Sequence, residues 1–272
     1  MSEVYEAQQL DFVKKLWEHY ERMGRHDLPW RRPDRSGQFD PYKILVSEVM
    51  LQQTQVARVV PKYQAFLTAF PDVQTLAAAD LGAVLRAWQG LGYNRRAKFL
   101  WQAATVIARE GSFPNTLESL VALPGVGVNT AGAVLVYAYN LPSVFVETNI
   151  RTAYIHHFAR DEQNVSDRFI RKCLQATLDR ERPREFYWAL MDYGAYLKTT
   201  VRNLSQSRHY TKQSAFTGSK RQIRGAVLRA LAGSAQTRAQ LQQVVADERL
   251  ELVLAELCAE GLIRWDGSVY FL

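Results

Sequence analysis

Cysteine is scarce in this chain of 272 residues, which contains only Cys173 and Cys258. Two cysteines so far apart do not form a disulfide framework, and one chain with two cysteines cannot hold a four-cysteine iron–sulfur cluster. No apolar run reaches the roughly 20 residues that a membrane span requires. The first residues also lack the basic-then-apolar pattern of a signal peptide. We therefore predict a cytoplasmic protein, associated with the nucleoid in a prokaryote, that does not bind a membrane.

Acidic residues are the minority among the charged side chains. The chain has 34 Lys and Arg against 27 Asp and Glu, which gives a net charge of +7. A basic surface suits a polyanionic partner such as a nucleic acid. Many soluble proteins are mildly basic, however, so charge alone favours a nucleic acid only slightly.

Period-2 alternation is nearly absent before residue 200, whereas apolar stripes with helical spacing recur. This pattern predicts an all-α main domain over residues 1–197. One such stripe comprises Leu10, Phe12, Val13, Leu16 and Tyr20, and a later one comprises Leu76, Leu81, Val84, Leu85 and Trp88.

Two further segments follow the main domain. Residues 198–220 carry several Lys and Arg residues but no acidic residue, which indicates a linker or an ordered polar wrap. Residues 221–272 contain three helical patterns, with Thr237 as a candidate N-cap and Gly261 as a stop signal. They end in apolar runs around Asp266–Gly267, a strong hairpin signal. Three helices and a hairpin predict a small winged-helix-like unit.

A glycine-rich turn at Leu123–Ala133 opens directly into a helical pattern. Gly125 and Gly127 are expected to adopt backbone conformations that are closed to other residues. The N–H groups at the start of the following helix then offer a site for a phosphate oxygen.

Glu48 lies one helical turn after Ile44 and one turn before Gln52, on or beside a partly apolar face. Burial there would raise the pKa of its carboxyl group and keep it available as a general acid. Periodicity alone fits a solvated surface glutamate equally well or better.

Glu147 follows an apolar run and precedes a helix that begins near Thr148 or Asn149. The helix N-terminus is expected to favour the ionised carboxylate. Such a carboxylate can stabilise an oxocarbenium-like sugar or hold a water molecule, although a glutamate at a helix start is also common without any catalytic role. An acid, an anionic stabiliser and a phosphate-binding turn together fit cleavage of an N-glycosidic bond.

Several motifs between residues 8 and 197 closely resemble those of the adenine DNA glycosylases, the MutY proteins. The discriminating motif is Glu-Val-Met-Leu-Gln-Gln-Thr-Gln at 48–55. The other matching segments are Leu28–Trp30, Gly90–Tyr93, the turn at Leu123–Gly127 with Thr130–Ala133, and Met191–Ala195. The chain thus resembles the helix-hairpin-helix glycosylase superfamily, which also includes endonuclease III, and the expected fold has two helical lobes.

The resemblance implies a role for each matching residue. Glu48 would protonate the purine, while Glu147 and Asn149 would complete the catalytic group. Gln52, Gln53 and Tyr93 would lie at the opened base stack. DNA contacts are further expected from the hairpin and the basic segment, namely from Gly125, Gly127, Asn129, Thr130, Lys198 and Arg202.

The chain departs from the family pattern at four places. Glu147–Asn149 replaces Asp-Gly-Asn, so the carboxylate gains one methylene. Asn129 replaces the lysine of the related lyases, which predicts a monofunctional enzyme because a Schiff base requires an amine. The four cluster cysteines are missing, so hydrogen bonds and packing would have to hold residues 198–220. The C-terminal unit is too short and too helical to be the Nudix-like domain that reads 8-oxoguanine.

These observations predict a monomeric, monofunctional glycosylase that removes a flipped purine from double-stranded DNA containing a damaged or mismatched base. The expected substrate is adenine opposite 8-oxoguanine or guanine. No metal and no iron–sulfur cofactor is expected, although the hairpin could hold a monovalent cation. The alternatives are the same fold acting on mismatched thymine or uracil, hypoxanthine or an abasic site, with or without lyase activity, and a catalytically silent protein that binds damaged DNA. A metal-dependent nuclease is a weaker third alternative, because no cluster of carboxylates suggests a metal site.

Overall fold

A computed structural model describes residues 3–212 and 215–272 of the chain, and that part contains fourteen α-helices and one two-stranded sheet. This confirms the predicted all-α class. The helices are α1 (Glu3–Met23), α2 (Pro41–Leu51), α3 (Val56–Ala69), α4 (Val73–Ala78), α5 (Leu81–Ala87), α6 (Arg95–Glu110), α7 (Leu117–Val121), α8 (Val128–Tyr139), α9 (Thr148–Phe158), α10 (Asp167–Thr177), α11 (Pro183–Thr200), α12 (Lys220–Gly233), α13 (Arg238–Val244) and α14 (Leu250–Ala259).

Side-chain caps define the N-termini of several short helices. Asp72 accepts a hydrogen bond from the Thr75 N–H at the start of α4. Asp80 does the same for α5 through the N–H of Ala83. Each carboxylate satisfies one of the N–H groups that a first helical turn leaves without an intrahelical partner. The cap residue in the sequence therefore determines where these helices begin.

Residue contacts divide the chain into two interleaved units. The first comprises residues 1–44, 115–121 and 126–212, and the second comprises residues 45–114, 122–125 and 213–272. In the first unit α9 packs against α11, and the fully buried rings of Phe145 and Tyr187 stack 4.2 Å apart. In the second unit α4 and α5 pack on α6 around the fully buried Trp88.

A buried ion cluster lies in the first unit. Arg31 donates two hydrogen bonds to the carboxylate of Asp192 on α11, at 2.7 and 2.9 Å. Arg25 donates to the same carboxylate from its backbone N–H and its side chain. Burial alone would raise the pKa of Asp192, but the hydrogen bonds and charges of the two arginines lower it below its ordinary value. The cluster joins the segment after α1 to α11.

The C-terminal residues form the predicted winged-helix-like unit. Thr237 caps α13 in a capping box with Gln240. Gly261 ends α14 with φ +62°. The strands β1 (Arg264–Trp265) and β2 (Tyr270–Phe271) then pair antiparallel, and the turn between them contains Gly267 at φ +103°. Within this unit, Arg238 on α13 pairs with Glu251 on α14 at 2.6 Å.

The basic segment after residue 197 is an ordered wrap as far as it is described. Its first residues extend α11 to Thr200, and a 3₁₀ turn follows at Asn203–Gln206. The Asn203 side chain donates to the carbonyl of Thr152 at 3.0 Å, and Gln206 donates to the carbonyls of Arg160 and Glu162. Hydrogen bonds to neighbouring main chain thus hold residues 203–206 of this segment. Residues 213–214 lie outside the described part.

Among residues 3–212 and 215–272, no helix combines the length and the apolar character that crossing a membrane requires.

Candidate active site

Glu48 lies near the C-terminal end of α2, in a helix whose other side chains are mostly buried. Its neighbours Ser47, Val49 and Met50 are at most 5% exposed, whereas Glu48 itself is half-buried. The structure therefore places the proposed acid at the edge of an apolar environment rather than on a fully solvated face. Gln52 follows one turn later, just after α2 ends.

Two loops beside α2 contain residues in the left-handed backbone region. Gln53 has φ +55° in the loop between α2 and α3, and Tyr93 has φ +48° in the loop before α6. Both side chains are exposed. Non-glycine residues adopt this conformation rarely, and such strain is concentrated at functional sites. We call residues 52–55 and 90–93 the two probing loops.

One guanidinium group holds both probing loops. Arg96, in the first turn of α6, donates to the carbonyl oxygens of Gln52 and Leu91. It also donates to the carbonyl of Val49 at 2.7 Å and that of Gly92 at 3.0 Å. Burial lowers the pKa of Arg96 to about 10. The C-terminus of α2 and the Gly90–Tyr93 loop therefore share a single half-buried cation.

Sequence reasoning missed Arg96. A signal was present, because a cation in the first turn of a helix opposes the helix dipole and needs another reason to be there. That reason is its set of carbonyl acceptors. The acceptor Val49 on α2 lies more than 40 residues from Arg96 in the sequence.

The glycine-rich turn joins α7 to α8 as a helix-hairpin-helix. Gly125 has φ +74°, and a Cβ atom at this position would lie 2.4 Å from Cβ of Phe99. Both its backbone conformation and its close packing therefore require glycine. The prediction for Gly127 was wrong, since its φ of −86° and ψ of 170° form ordinary extended backbone with open space around the Cβ position.

The first turn of α8 contains N–H groups that precede the helical hydrogen-bond ladder. Its first intrahelical hydrogen bond runs from the Ala131 N–H to the carbonyl of Gly127, so the preceding N–H groups lie outside the ladder. Gly127 is exposed and so is Val128, while Thr130 is half-buried. The first turn carries no acidic residue that would repel a phosphate.

Asn129 and Asn149 both fix the chain around Glu147. The side chain of Asn129 donates to the carbonyl of Val146 at 2.9 Å. That of Asn149 donates to the carbonyl of Met191 at 3.2 Å. Gly194 permits this approach, because a Cβ there would lie 2.1 Å from the carbonyl oxygen of Asn149. The role of Gly194 is a second feature that sequence reasoning missed.

Glu147 is the N-cap of α9, which begins at Thr148, but its side chain makes no capping hydrogen bond. Burial raises the pKa of Glu147, and the charge of Arg151, one turn later, lowers it only in part. The expectation that the helix N-terminus keeps this group ionised was therefore incomplete. Desolvation of the carboxylate outweighs the favourable charge of Arg151.

Comparison with known proteins agrees with this geometry. Residues 46–177 match the family described as HhH-GPD superfamily base excision DNA repair protein. An adenine DNA glycosylase of Mycolicibacterium smegmatis is 37% identical over 265 residues, which cover 88% of this chain and 88% of that protein. This chain belongs to the adenine DNA glycosylase family.

Other members and related folds extend the comparison. An adenine DNA glycosylase of Buchnera aphidicola is 36% identical over 194 residues, and this match covers 69% of the chain but only 53% of that relative. A thermostable thymine-DNA glycosylase superposes with a TM-score of 0.62 over 71% of this chain and 88% of that structure, at 22% identity. An endonuclease III–DNA covalent intermediate gives a TM-score of 0.57 over 79% of this chain and 92% of that structure, at 18% identity. These structures support the two-lobed helix-hairpin-helix glycosylase fold.

The cysteines of this family member do not fit an iron–sulfur cluster. Cys173 is buried in α10 and shares a 3.3 Å hydrogen bond with the hydroxyl of Tyr5. Cys258 lies in α14, within the other unit. Across residues 3–212 and 215–272, no three His, Cys, Asp or Glu side chains group as a metal site. The basic segment instead presents Lys198 at the end of α11 and Arg202 at φ +55°, both exposed.

Proposed function

We propose that this protein is a monofunctional DNA glycosylase that excises adenine from double-stranded DNA, opposite 8-oxoguanine or guanine. One observation carries the proposal: the half-buried Glu48 lies near the C-terminus of α2, which Arg96 joins to both strained probing loops. This arrangement links the group that acts on the base to the residues that enter the base stack. The relatives that match this chain are adenine DNA glycosylases.

Glu48 donates a proton to a ring nitrogen of the flipped adenine. The bond between this base and C1′ of the sugar then breaks, and its electron pair leaves with the protonated base. Glu147, in its ionised form, stabilises the sugar cation and orients a water molecule. The water adds to C1′, and its proton returns the acid to its starting state. Asn149 and Asn129 keep the main chain on either side of Glu147 in place through their hydrogen bonds.

DNA binding uses the hairpin and the basic segment in this proposal. A phosphate would accept hydrogen bonds from the first turn of α8, which Gly127 caps. Lys198 and Arg202 are exposed and would add charge contacts to the backbone. Asn129 is not an amine and its side chain already pairs with Val146. We therefore propose excision without strand cleavage, by a monomer that uses no iron–sulfur cluster.

A panel of labelled duplexes in single-turnover reactions tests the proposal. It should contain adenine opposite 8-oxoguanine, adenine opposite guanine, thymine or uracil opposite guanine, hypoxanthine, and a preformed abasic site. Cleavage at adenine that appears only after alkali is the expected result. Cleavage without alkali, or only at another lesion, would contradict the assigned chemistry, and tight binding without any excision would favour the binding-protein alternative.

The variant Glu48→Gln isolates the acid. It should lose at least about 10²-fold in excision rate, since a general acid contributes that much or more, and it should bind the same duplex as tightly as the wild type. The exposed Lys43, also on α2, serves as a surface control through Lys43→Gln. Unchanged turnover in Glu48→Gln would remove this residue from the mechanism.

A further inference from the structure

The C-terminal unit packs directly on the part of the chain that carries the probing loops. The Gln89 side chain, just before the second loop, donates to the carbonyl of Leu228 on α12 at 3.3 Å. Lys98 on α6 donates to the carbonyl of Glu260 after α14. Residues 45–114 and 213–272 accordingly belong to the same compact unit. The winged helix is therefore not an independently tethered module.

One residue of this unit reaches Tyr93. Arg221, in the first turn of α12, donates a hydrogen bond from Nη1 to the Tyr93 hydroxyl oxygen at 3.0 Å. Its guanidinium carbon lies 5.9 Å from the centroid of the Tyr93 ring, and that of Arg96 lies 5.5 Å from it. Two guanidinium groups from different helices thus contact one ring, and Tyr93 as a whole is 40% exposed.

The neighbouring cations of α12 serve a different purpose. Lys220 pairs with Glu256 at 2.8 Å, and Arg224 pairs with Glu260. Both acidic partners belong to α14 or its C-terminal end, so these pairs hold the C-terminal unit together. Arg221 differs because its hydrogen bond to Tyr93 joins the C-terminal residues to the second probing loop.

We propose that the C-terminal unit takes part in lesion recognition and that Arg221 is the positioning residue through which it acts on Tyr93. Tyr93 has a left-handed backbone, which costs a non-glycine residue free energy and favours relaxation of the loop. A hydrogen bond from a well-anchored helix holds the ring in place before DNA arrives. Preorganisation of this kind reduces the ordering cost of binding. The unit thereby sets how readily Tyr93 enters the base stack, and this inference rests on the proposed glycosylase function.

The test combines two readouts with three variants. A duplex with 2-aminopurine next to the target adenine reports opening of the base stack on binding, and single-turnover excision reports catalysis. Arg221→Ala should reduce both the fluorescence gain and the excision rate, the latter about tenfold, as expected for a hydrogen bond to a charged group. Arg221→Lys keeps one donor and should recover part of the loss. Arg229→Ala removes an equal charge from an exposed position on the same helix and should stay within about twofold of the wild type.

A double-mutant cycle with Tyr93→Phe shows whether Arg221 acts through the hydroxyl. If it does, Arg221→Ala in the Tyr93→Phe background should cost less than about twofold, because the partner is already absent. An equal loss in both backgrounds would overturn the proposal, and so would wild-type behaviour of Arg221→Ala in both readouts. If Arg221→Ala fails to fold, Arg221→Lys and Tyr93→Phe still test the hydrogen bond. A full stack-opening signal in both of these variants would also overturn the proposal.

The two proposals fail in distinguishable ways. If the wild-type protein excises no base, the proposed function is wrong, yet the 2-aminopurine signal on binding still measures the effect of Arg221 on stack opening. If the wild type excises adenine and neither Arg221 variant alters stack opening, only the inference about the C-terminal unit is wrong.

Discussion

Arg151 donates two hydrogen bonds to the carboxylate of Asp167, at 2.7 and 2.8 Å, and its charge also acts on Glu147, one helical turn earlier. The bidentate pair fixes the guanidinium one helical turn after Glu147. From there its charge lowers the pKa of Glu147, against the larger effect of burial. Asp167 thereby influences Glu147 through the arginine that it holds.

The first prediction concerns the pH dependence of excision. Arg151→Gln removes the charge that favours ionised Glu147, so the pKa of Glu147 should rise further. If excision requires the carboxylate, the acidic limb of the single-turnover rate profile should move to higher pH. Arg160→Gln, at an exposed position after α9, is the control. An acidic limb that stays in place in Arg151→Gln would refute the effect of Arg151 on the pKa of Glu147.

The second prediction addresses the departure at Glu147. Glu147→Asp restores the shorter carboxylate of the related enzymes, and a displacement of about 1 Å can change a rate about 10²-fold. If the glutamate is a weakened version of the aspartate, the substitution should raise adenine excision. A loss of a robust wild-type activity would show that the glutamate supports chemistry of its own. The lesion panel should be repeated with this variant, so that a change of substrate is separated from a change of rate.

The third prediction concerns the shared cation of the probing loops. Arg96→Lys keeps the charge, but an ammonium group cannot reach the carbonyls of α2 and of the Gly90–Tyr93 loop together. Excision should fall at least about tenfold, since even one lost charge-assisted hydrogen bond is worth that much. Arg95→Lys changes the adjacent exposed arginine and should leave the rate unchanged. Equal rates for both variants would show that the probing loops do not depend on Arg96.

The fourth prediction is a test of packing between α9 and α11. Gly194→Ala places a Cβ 2.1 Å from the carbonyl oxygen of Asn149, so a backbone shift is required. We expect a loss of about 2–3 kcal/mol in the free energy of unfolding. Gly225→Ala is the matched control on α12, where a Cβ meets open space, and it should gain about 0.5–1 kcal/mol because alanine favours a helix. Urea unfolding compares the two, and equal stabilities would contradict the close approach.

Local sequence decided which segments are helical and where many of them begin and end. The predicted N-cap Thr237 begins α13, where it forms a capping box with Gln240. Gly261 ended α14, and Asp266–Gly267 formed the hairpin turn. These features depend on residues a few positions apart, so the sequence contains all the information they need. The family resemblance is local in the same sense, because eight consecutive residues from Glu48 to Gln55 carry its discriminating motif.

Tertiary structure decided the environment of individual side chains. Leu10 belonged to an apolar stripe but is 73% exposed, while Phe12 in the same stripe is fully buried. Glu147 was expected to be ionised from its helix position, yet burial raises its pKa. Arg96 and Gly194 gained their roles from segments more than 40 residues away.

The physical reason for this division is the sequence separation of the residues that interact. Helical periodicity and capping are set by contacts within about one or two turns, so the chain itself determines them. Desolvation, close backbone approach and shared hydrogen-bond acceptors arise only when distant segments meet. The sequence by itself therefore determined the helices, the hairpins and the family. The tertiary fold decided which charged side chains are buried and which loops are strained, and it brought Arg221 into contact with Tyr93.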